Sequence, residues 1–221
     1  MRKVIAAAFI SLDGVMQAPG GPDEDPTGGF AFGGWLFHHW DEASGKVIGE
    51  TLGSPYDLLL GRKTYEIFAA YWPYVPADDP IGKAFNAATK YVASRSAVPL
   101  TWQNSVALRG DAAQAVAELK RHSGPPLLLQ GSTDLIQTLL AHDLIDEFRL
   151  MTVPVLLGPG KKLFGRGTIP AGLKLVSSRT STTGVVMSTY VRSGDVTTGS
   201  FVQIEPSAAE LARRERMKRE G

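Results

Sequence analysis

The chain has no cysteine, which excludes disulfides, thiolate metal centres and cysteine nucleophiles, and fits a reducing, cytoplasmic setting. It also lacks a charge imbalance. Its 23 Lys and Arg residues face 22 Asp and Glu, a formal net charge of +1, so its global field gives no reason to expect nucleic acid or an anionic membrane as partner. No apolar stretch reaches the length needed to cross a bilayer. Two basic residues, Arg2 and Lys3, precede an apolar run, superficially like a secretory signal. The run meets Asp13-Gly14 at once, however, and no small-residue cleavage site follows. Internal repeats and low-complexity segments are missing as well. What remains is an ordinary globular composition, 43% hydrophobic and 20% charged, in a length that suits one large domain.

The pattern along the chain predicts strands separated by helices. Arg2 to Ile10, apolar from Val4 onward, reads as a strand covered on both faces, and a Gly-, Pro- and Asp-rich loop runs from Asp13 to about Gly34. Helices are expected at Asp41 to Leu52, Lys63 to Trp72, Pro80 to Ala88, Asp111 to His122 and Ser132 to about His142. Between them, Tyr56 to Leu60, Lys90 to Ala93, Val106 to Leu108 and Pro126 to Gln130 read as strands. Such alternation implies parallel pairing through crossovers. Beyond Glu147 the helices stop. Phe148 to Val153, Leu173 to Thr180 and Val185 to Arg192 read as strands, with a tight turn at Thr183-Gly184, so an antiparallel edge is expected. After residue 192 comes an extension to 221. There Ser207 to Glu210 has the form of a capping box, and Glu210–Arg214 and Glu215–Arg219 are spaced for ion pairs on a helix. Glutamates at 205, 210, 215 and 220 largely cancel the basic residues of that tail, which argues against an RNA-binding arm.

Four segments at strand ends carry groups suited to chemistry, and strand ends are where open α/β sheets bind ligands. Gly61-Arg62-Lys63-Thr64 combines a glycine that allows close backbone approach, a helix N-terminus, two cations and a hydroxyl, a set suited to phosphate or to a plain capped turn. Ser94-Arg95-Ser96 suits a phosphate monoester, and no acid immediately follows its strand to take a ribose 2′-hydroxyl, so NADPH is favoured over NADH. Gly131-Ser132 is a second small-residue turn into a helix, with Ser132 positioned to cap it. Ser11-Leu12-Asp13-Gly14 puts a carboxylate at the mouth of the sheet, either for a substrate or to make a turn.

These segments occur in the order found in dihydrofolate reductase-like proteins. With Asp146 to Leu150, Pro154 to Gly158 and Lys162 to Phe164, the chain resembles the C-terminal reductase domain of bifunctional riboflavin-biosynthesis deaminase-reductases over residues 1–192. The resemblance implies a three-layer α/β sandwich: a mostly parallel central sheet with antiparallel C-terminal strands, and NADPH across the strand ends. It implies cofactor contacts from Gly61, Arg62, Lys63, Thr64, Ser94, Arg95, Gly131 and Ser132, an acid at Asp13 beside the nicotinamide, and a homodimer. Asp41 or Glu42, on the helix after the long loop, are alternative acids. The zinc deaminase of those bifunctional proteins is not expected within these 221 residues, which lack the cysteines its chemistry needs.

The expected function is hydride transfer from NADPH to a small heterocyclic, carbonyl or imine substrate. The alternatives are a non-catalytic nucleotide-binding or regulatory module and a flavin- or deazaflavin-dependent reductase. Phe30, Phe32, Trp35, Phe37, His38, His39 and Trp40 form an aromatic run before the first helix that could either wall a pocket or pack as core. His38 and His39 are adjacent and diverge, with no third ligand nearby, so no metal is expected.

Overall fold

The computed structural model describes residues 1–97 and 99–220. Its strands are β1 (Val4–Ser11), β2 (Asp57–Gly61), β3 (Lys90–Ala93), β4 (Ser105–Leu108), β5 (Leu127–Leu129), β6 (Glu147–Val153), β7 (Leu173–Thr180) and β8 (Val186–Arg192). They form one eight-stranded sheet in the order β4-β3-β2-β5-β1-β6-β8-β7. Every pairing from β4 to β6 is parallel, and β8 returns antiparallel to both β6 and β7. The expected architecture is therefore observed: a mostly parallel sheet with an antiparallel C-terminal edge.

Among the described residues six α-helices accompany the sheet: α1 (Glu42–Leu52), α2 (Arg62–Ala69), α3 (Pro80–Ala87), α4 (Ala112–Arg121), α5 (Thr133–Ala141) and α6 (Ala208–Glu220). Alternation along β1 sorts them into layers. Val4, Ala6 and Ile10 join Val116 of α4 and Leu135, Ile136 and Leu139 of α5 in one core cluster. Ile5 and Ala7 point the other way, towards Leu52, Tyr65 and Phe85 of α1, α2 and α3. The central strands β1, β2 and β5 are mostly apolar because each is covered on both faces. Leu58, Leu59 and Leu60 of β2 are fully buried.

Two boundaries differ from expectation by more than one residue. The second helix ends at Ala69 rather than at Trp72, and Trp72–Tyr74 forms a separate short 3-10 turn. Pro73 disfavours α conformation in the residue before it and has no N–H to extend the ladder. Strand β1 begins at Val4 rather than Arg2: the Arg2 N–H donates to the carbonyl of Lys120 in α4, not to a neighbouring strand, and its guanidinium reaches Asp57 and the carbonyl of Pro125. At the opposite end, Gly184 takes φ +84° in the expected turn before β8.

In α6 the Ser207 hydroxyl accepts from Glu210 N as a cap. Glu210 pairs with Arg214, whereas Glu215 is met by Lys218 and Arg219 donates to its backbone carbonyl. No residue of α6 is buried, and no helix among the described residues is long and apolar enough to cross a membrane.

Candidate functional site

The C-terminal ends of the parallel strands open onto a cavity of about 1380 Å³. Three of the four segments picked out in the sequence line it: Gly61 to Thr64 after β2, Ser94 to Ser96 after β3, and Gly131-Ser132 after β5. Two of these turns touch. The Ser132 hydroxyl donates to Thr64 Oγ1 at 2.7 Å, and a Cβ on Gly61 would stand 2.4 Å from Ser132 Cβ and Oγ. Gly131 has φ +122°, and a Cβ there would press on Thr64 at 3.3 Å. Glycine is thus required at 61 by contact and at 131 by backbone conformation.

Ser132 occupies the N-cap of α5 but does not cap it. Its φ is +72°, and its hydroxyl goes to Thr64 instead of to the helix. Helix α2 has Gly61 at its N-cap and is likewise without a side-chain cap. Two helix N-termini at the cavity therefore keep unpaired backbone N–H groups, the arrangement that binds phosphate oxygens. The third, α4, is capped by Asp111, which accepts from Gln114 N at 2.9 Å and also lines the cavity.

The cations are unequal. Arg62 is bound to Glu66 one turn on, at 3.0 Å. Arg95 and Lys63 are exposed along the cavity, and among the described residues neither forms an ion pair. Ser94 closes its own turn, its hydroxyl donating to the carbonyl of Ser96 at 2.6 Å.

None of the acids picked out in the sequence lines the cavity. Asp13 accepts from the Ser11 hydroxyl at 2.7 Å and from the backbone N–H groups of Leu157 and Gly158 at 3.0 and 2.9 Å. These bonds, the Ser11 hydroxyl foremost, hold its pKa down to about 2. Asp41 caps α1 through Ser44 N with one oxygen, and its other oxygen accepts from the backbone and hydroxyl of Thr182. Its pKa too is held at about 2, chiefly by the Ser44 N–H. Glu42 is exposed in the first turn of α1. Asp13 and Asp41 thus join distant segments, with both carboxylate oxygens engaged.

The aromatic run also divides. Phe30 packs with Val15 and Ala18 in a small cluster, Phe37 is exposed, and Trp40 alone of the seven lines the cavity, its ring edge-on to Phe9. No group of His, Asp or Glu among the described residues is arranged to hold a metal ion.

Several lining residues were not picked out in the sequence. Met16 to Gly20, Glu24 and Asp25 supply a wall from the long loop, and Lys161 joins them. Buried Gln17 fixes this loop: its amide donates to the carbonyls of Asp25 and Thr27, both at 2.9 Å, and its oxygen accepts from Lys161 N. The only local sign of that role is a lone amide in a loop too long to be a simple connection. Behind α1, the sheet contributes Phe9, Met151 and Met187, and further down the same strands Glu147 and Arg149.

Fold and strand-end cavity together define a dihydrofolate reductase-like α/β protein. Dihydrofolate reductase from Enterococcus faecalis, complexed with NADP(H), superposes with a TM-score of 0.54 at 13% identity, over 86% of this chain and 96% of that one. The chain belongs to the RibD C-terminal domain family, which it matches over residues 2–187. A Shewanella sp. PV-4 protein provisionally assigned to riboflavin biosynthesis has a TM-score of 0.60 at 22% identity, over 86% of this chain and 99% of that one. The uncharacterized protein YyaP of Bacillus subtilis (strain 168) is 29% identical over 198 residues, covering 86% of this chain and 94% of that protein. Family and fold support a reductase-type function.

Proposed function

We propose that this chain is an NADPH-dependent reductase acting on a small heterocyclic, carbonyl or imine substrate. The observation that carries this reading is the convergence of three strand-end turns on one cavity, two of them opening helices whose first N–H groups have no side-chain cap. Backbone N–H groups at Gly131-Ser132 and at the start of α2 suit a pyrophosphate, since glycine lets its oxygens approach the main chain. Thr64 and Ser132 keep their hydroxyls directed at each other, which steadies both turns. Arg95 and Ser94, at the end of β3, suit the adenosine 2′-phosphate, and Lys63 adds charge along the way. Arg62 takes part only by leaving Glu66, a surface pair worth under about 1 kcal/mol.

When bound, NADPH supplies a hydride to an electrophilic carbon. The chain's part is to hold the acceptor at near-attack distance and to exclude water. Phe9, Trp40, Ile48, Met151 and Met187 give the wall under α1 an apolar surface suited to a flat ring. Self-association as a homodimer is part of this reading, supported by β7: all eight of its residues are exposed at the sheet edge, Leu175 and Val176 among them. Cytoplasmic residence is proposed with it.

Titration with NADPH and NADH, followed by nicotinamide fluorescence, tests the proposal. Tight NADPH binding with much weaker NADH is expected. Binding of neither would remove the reductase reading and direct attention to flavins, deazaflavins or a module without redox chemistry.

A further inference from the structure

Reduction of a C=N or C=O bond needs a proton as well as a hydride, and the acids expected to supply it lie outside the cavity. Six other carboxyl groups line it: Glu24, Asp25, Glu50, Asp111, Asp134 and Glu147. Five are tied to cations or sit at helix starts. Asp25 is paired with Lys161, Glu50 with Arg179, and Glu147 with both Lys3 and Arg149. Asp111 caps α4, and Asp134 sits in the first turn of α5, where the helix dipole favours negative charge. Glu24 differs: among the described residues it has neither a cation partner nor a place at a helix start, and its carboxyl accepts one hydrogen bond, at Oε2 from Gly20 N, 2.6 Å away.

We propose that Glu24 is the proton donor of this site, a reading that rests on the reductase function above. When bound, the dihydronicotinamide would supply the hydride for the new C–H bond and be left oxidised. Glu24 would give its proton to the heteroatom that receives the π electrons of C=N or C=O, and its carboxylate would regain a proton from solvent. Hydride and proton together account for the two electrons and two hydrogens added.

The position is built for such a role. On either side of Glu24 the loop is tied down: Gln17 is bound to the carbonyls of Asp25 and Thr27, and Lys161 to the carboxylate of Asp25 and, at 2.8 Å, to the Thr27 hydroxyl. Trp35 Nε1 donates to the Gln17 carbonyl at 2.8 Å and holds the start of the loop. Burial pushes the Glu24 pKa up against the pull of the Gly20 and Gly21 N–H groups, and the negative charge of Asp25 adds to the rise. The charged groups beside it are Asp25 and, across Asp25, Lys161; Asp23 precedes it in the chain and is exposed. A carboxyl that keeps its proton to higher pH than a surface glutamate is suited to general-acid work.

The experiment uses the full chain with NADPH, and the cyclic imine 2-methyl-1-pyrroline with the α-diketone 2,3-butanedione as electrophile probes. Glu24→Gln keeps the acceptor for Gly20 N, so the fold and NADPH affinity are expected to survive. Its kcat should fall by roughly 10²–10⁴-fold, the usual contribution of a general acid, and lose the alkaline limb of its pH profile. Glu24→Asp should restore part of both. Independently of turnover, a ¹³C-carboxyl resonance titrating above the ordinary glutamate range should disappear in Glu24→Gln. A Glu24 resonance titrating in the ordinary range overturns the proposal, as does a Glu24→Gln enzyme with wild-type kcat and pH profile. Failure of both probes to turn over while NADPH is bound also overturns it. Failure to bind NADPH instead removes the reductase reading, and the carboxyl titration still reports on Glu24.

Discussion

Ser132 and Thr64, 68 residues apart in the chain, are joined by a 2.7 Å hydrogen bond between their hydroxyls. That bond links the turn after β5 to the turn after β2 and leaves α5 without a side-chain cap, while α2, with Gly61 at its N-cap, has none to offer. A residue whose local role is to cap a helix has been diverted, and the uncapped N–H groups are what a phosphate would find.

Gly61→Ala tests how tightly the two turns are packed. The new methyl would stand 2.4 Å from Ser132 and force a backbone shift. We expect a loss of about 1–3 kcal/mol in denaturant unfolding, typical of overpacking, together with weaker NADPH binding. Unchanged stability would show that the turns can part freely.

Arg95→Ala tests cofactor preference. Charge-assisted hydrogen bonds contribute about 1.5–3 kcal/mol, so the NADPH Kd should rise roughly 10- to 100-fold while that of NADH stays the same. An equal loss for both nucleotides would move the 2′-phosphate away from this turn.

Asp13→Asn should lower thermal stability, since an amide nitrogen would face one of the N–H donors now satisfied. The sign of its pH dependence follows from a folded pKa near 2 against an ordinary aspartate value of 3.8. Asp13 contributes its stabilisation fully above pH 3.8, and loses it as pH falls through about 2. The gap in Tm between wild type and Asp13→Asn, measured from pH 7 downwards, should therefore close between those two values.

Arg2 and Asp57 form an ion pair whose side chains are 3% and 12% exposed. Asp57→Ala strands a buried guanidinium and is expected to cost about 3–5 kcal/mol by chemical denaturation. The double change Arg2→Met with Asp57→Leu should recover most of that loss, because both desolvation costs vanish together. If it recovers nothing, Arg2 acts mainly through its bond to the Pro125 carbonyl.

The order of strands and helices, the antiparallel finish and three turns at the cavity are all legible in the sequence. Each depends on residues near one another: apolar runs of strand length, Asp111 before its helix, glycines and hydroxyls between a strand and a helix. The fate of the carboxylates is not local. Asp13 is claimed by backbone 144 residues away at Leu157, and Asp41 by Thr182, 141 residues on. No pattern around either residue reveals those partners. Glu24 reaches the cavity only because Gln17, Asp25 and Lys161 fold the loop over the strand ends. Sequence by itself determined which turns could meet a phosphate, because backbone conformation and helix starts are set within a few residues. Tertiary structure alone decided which acid faces the cavity, because a carboxylate's availability depends on every donor that the folded chain brings to it.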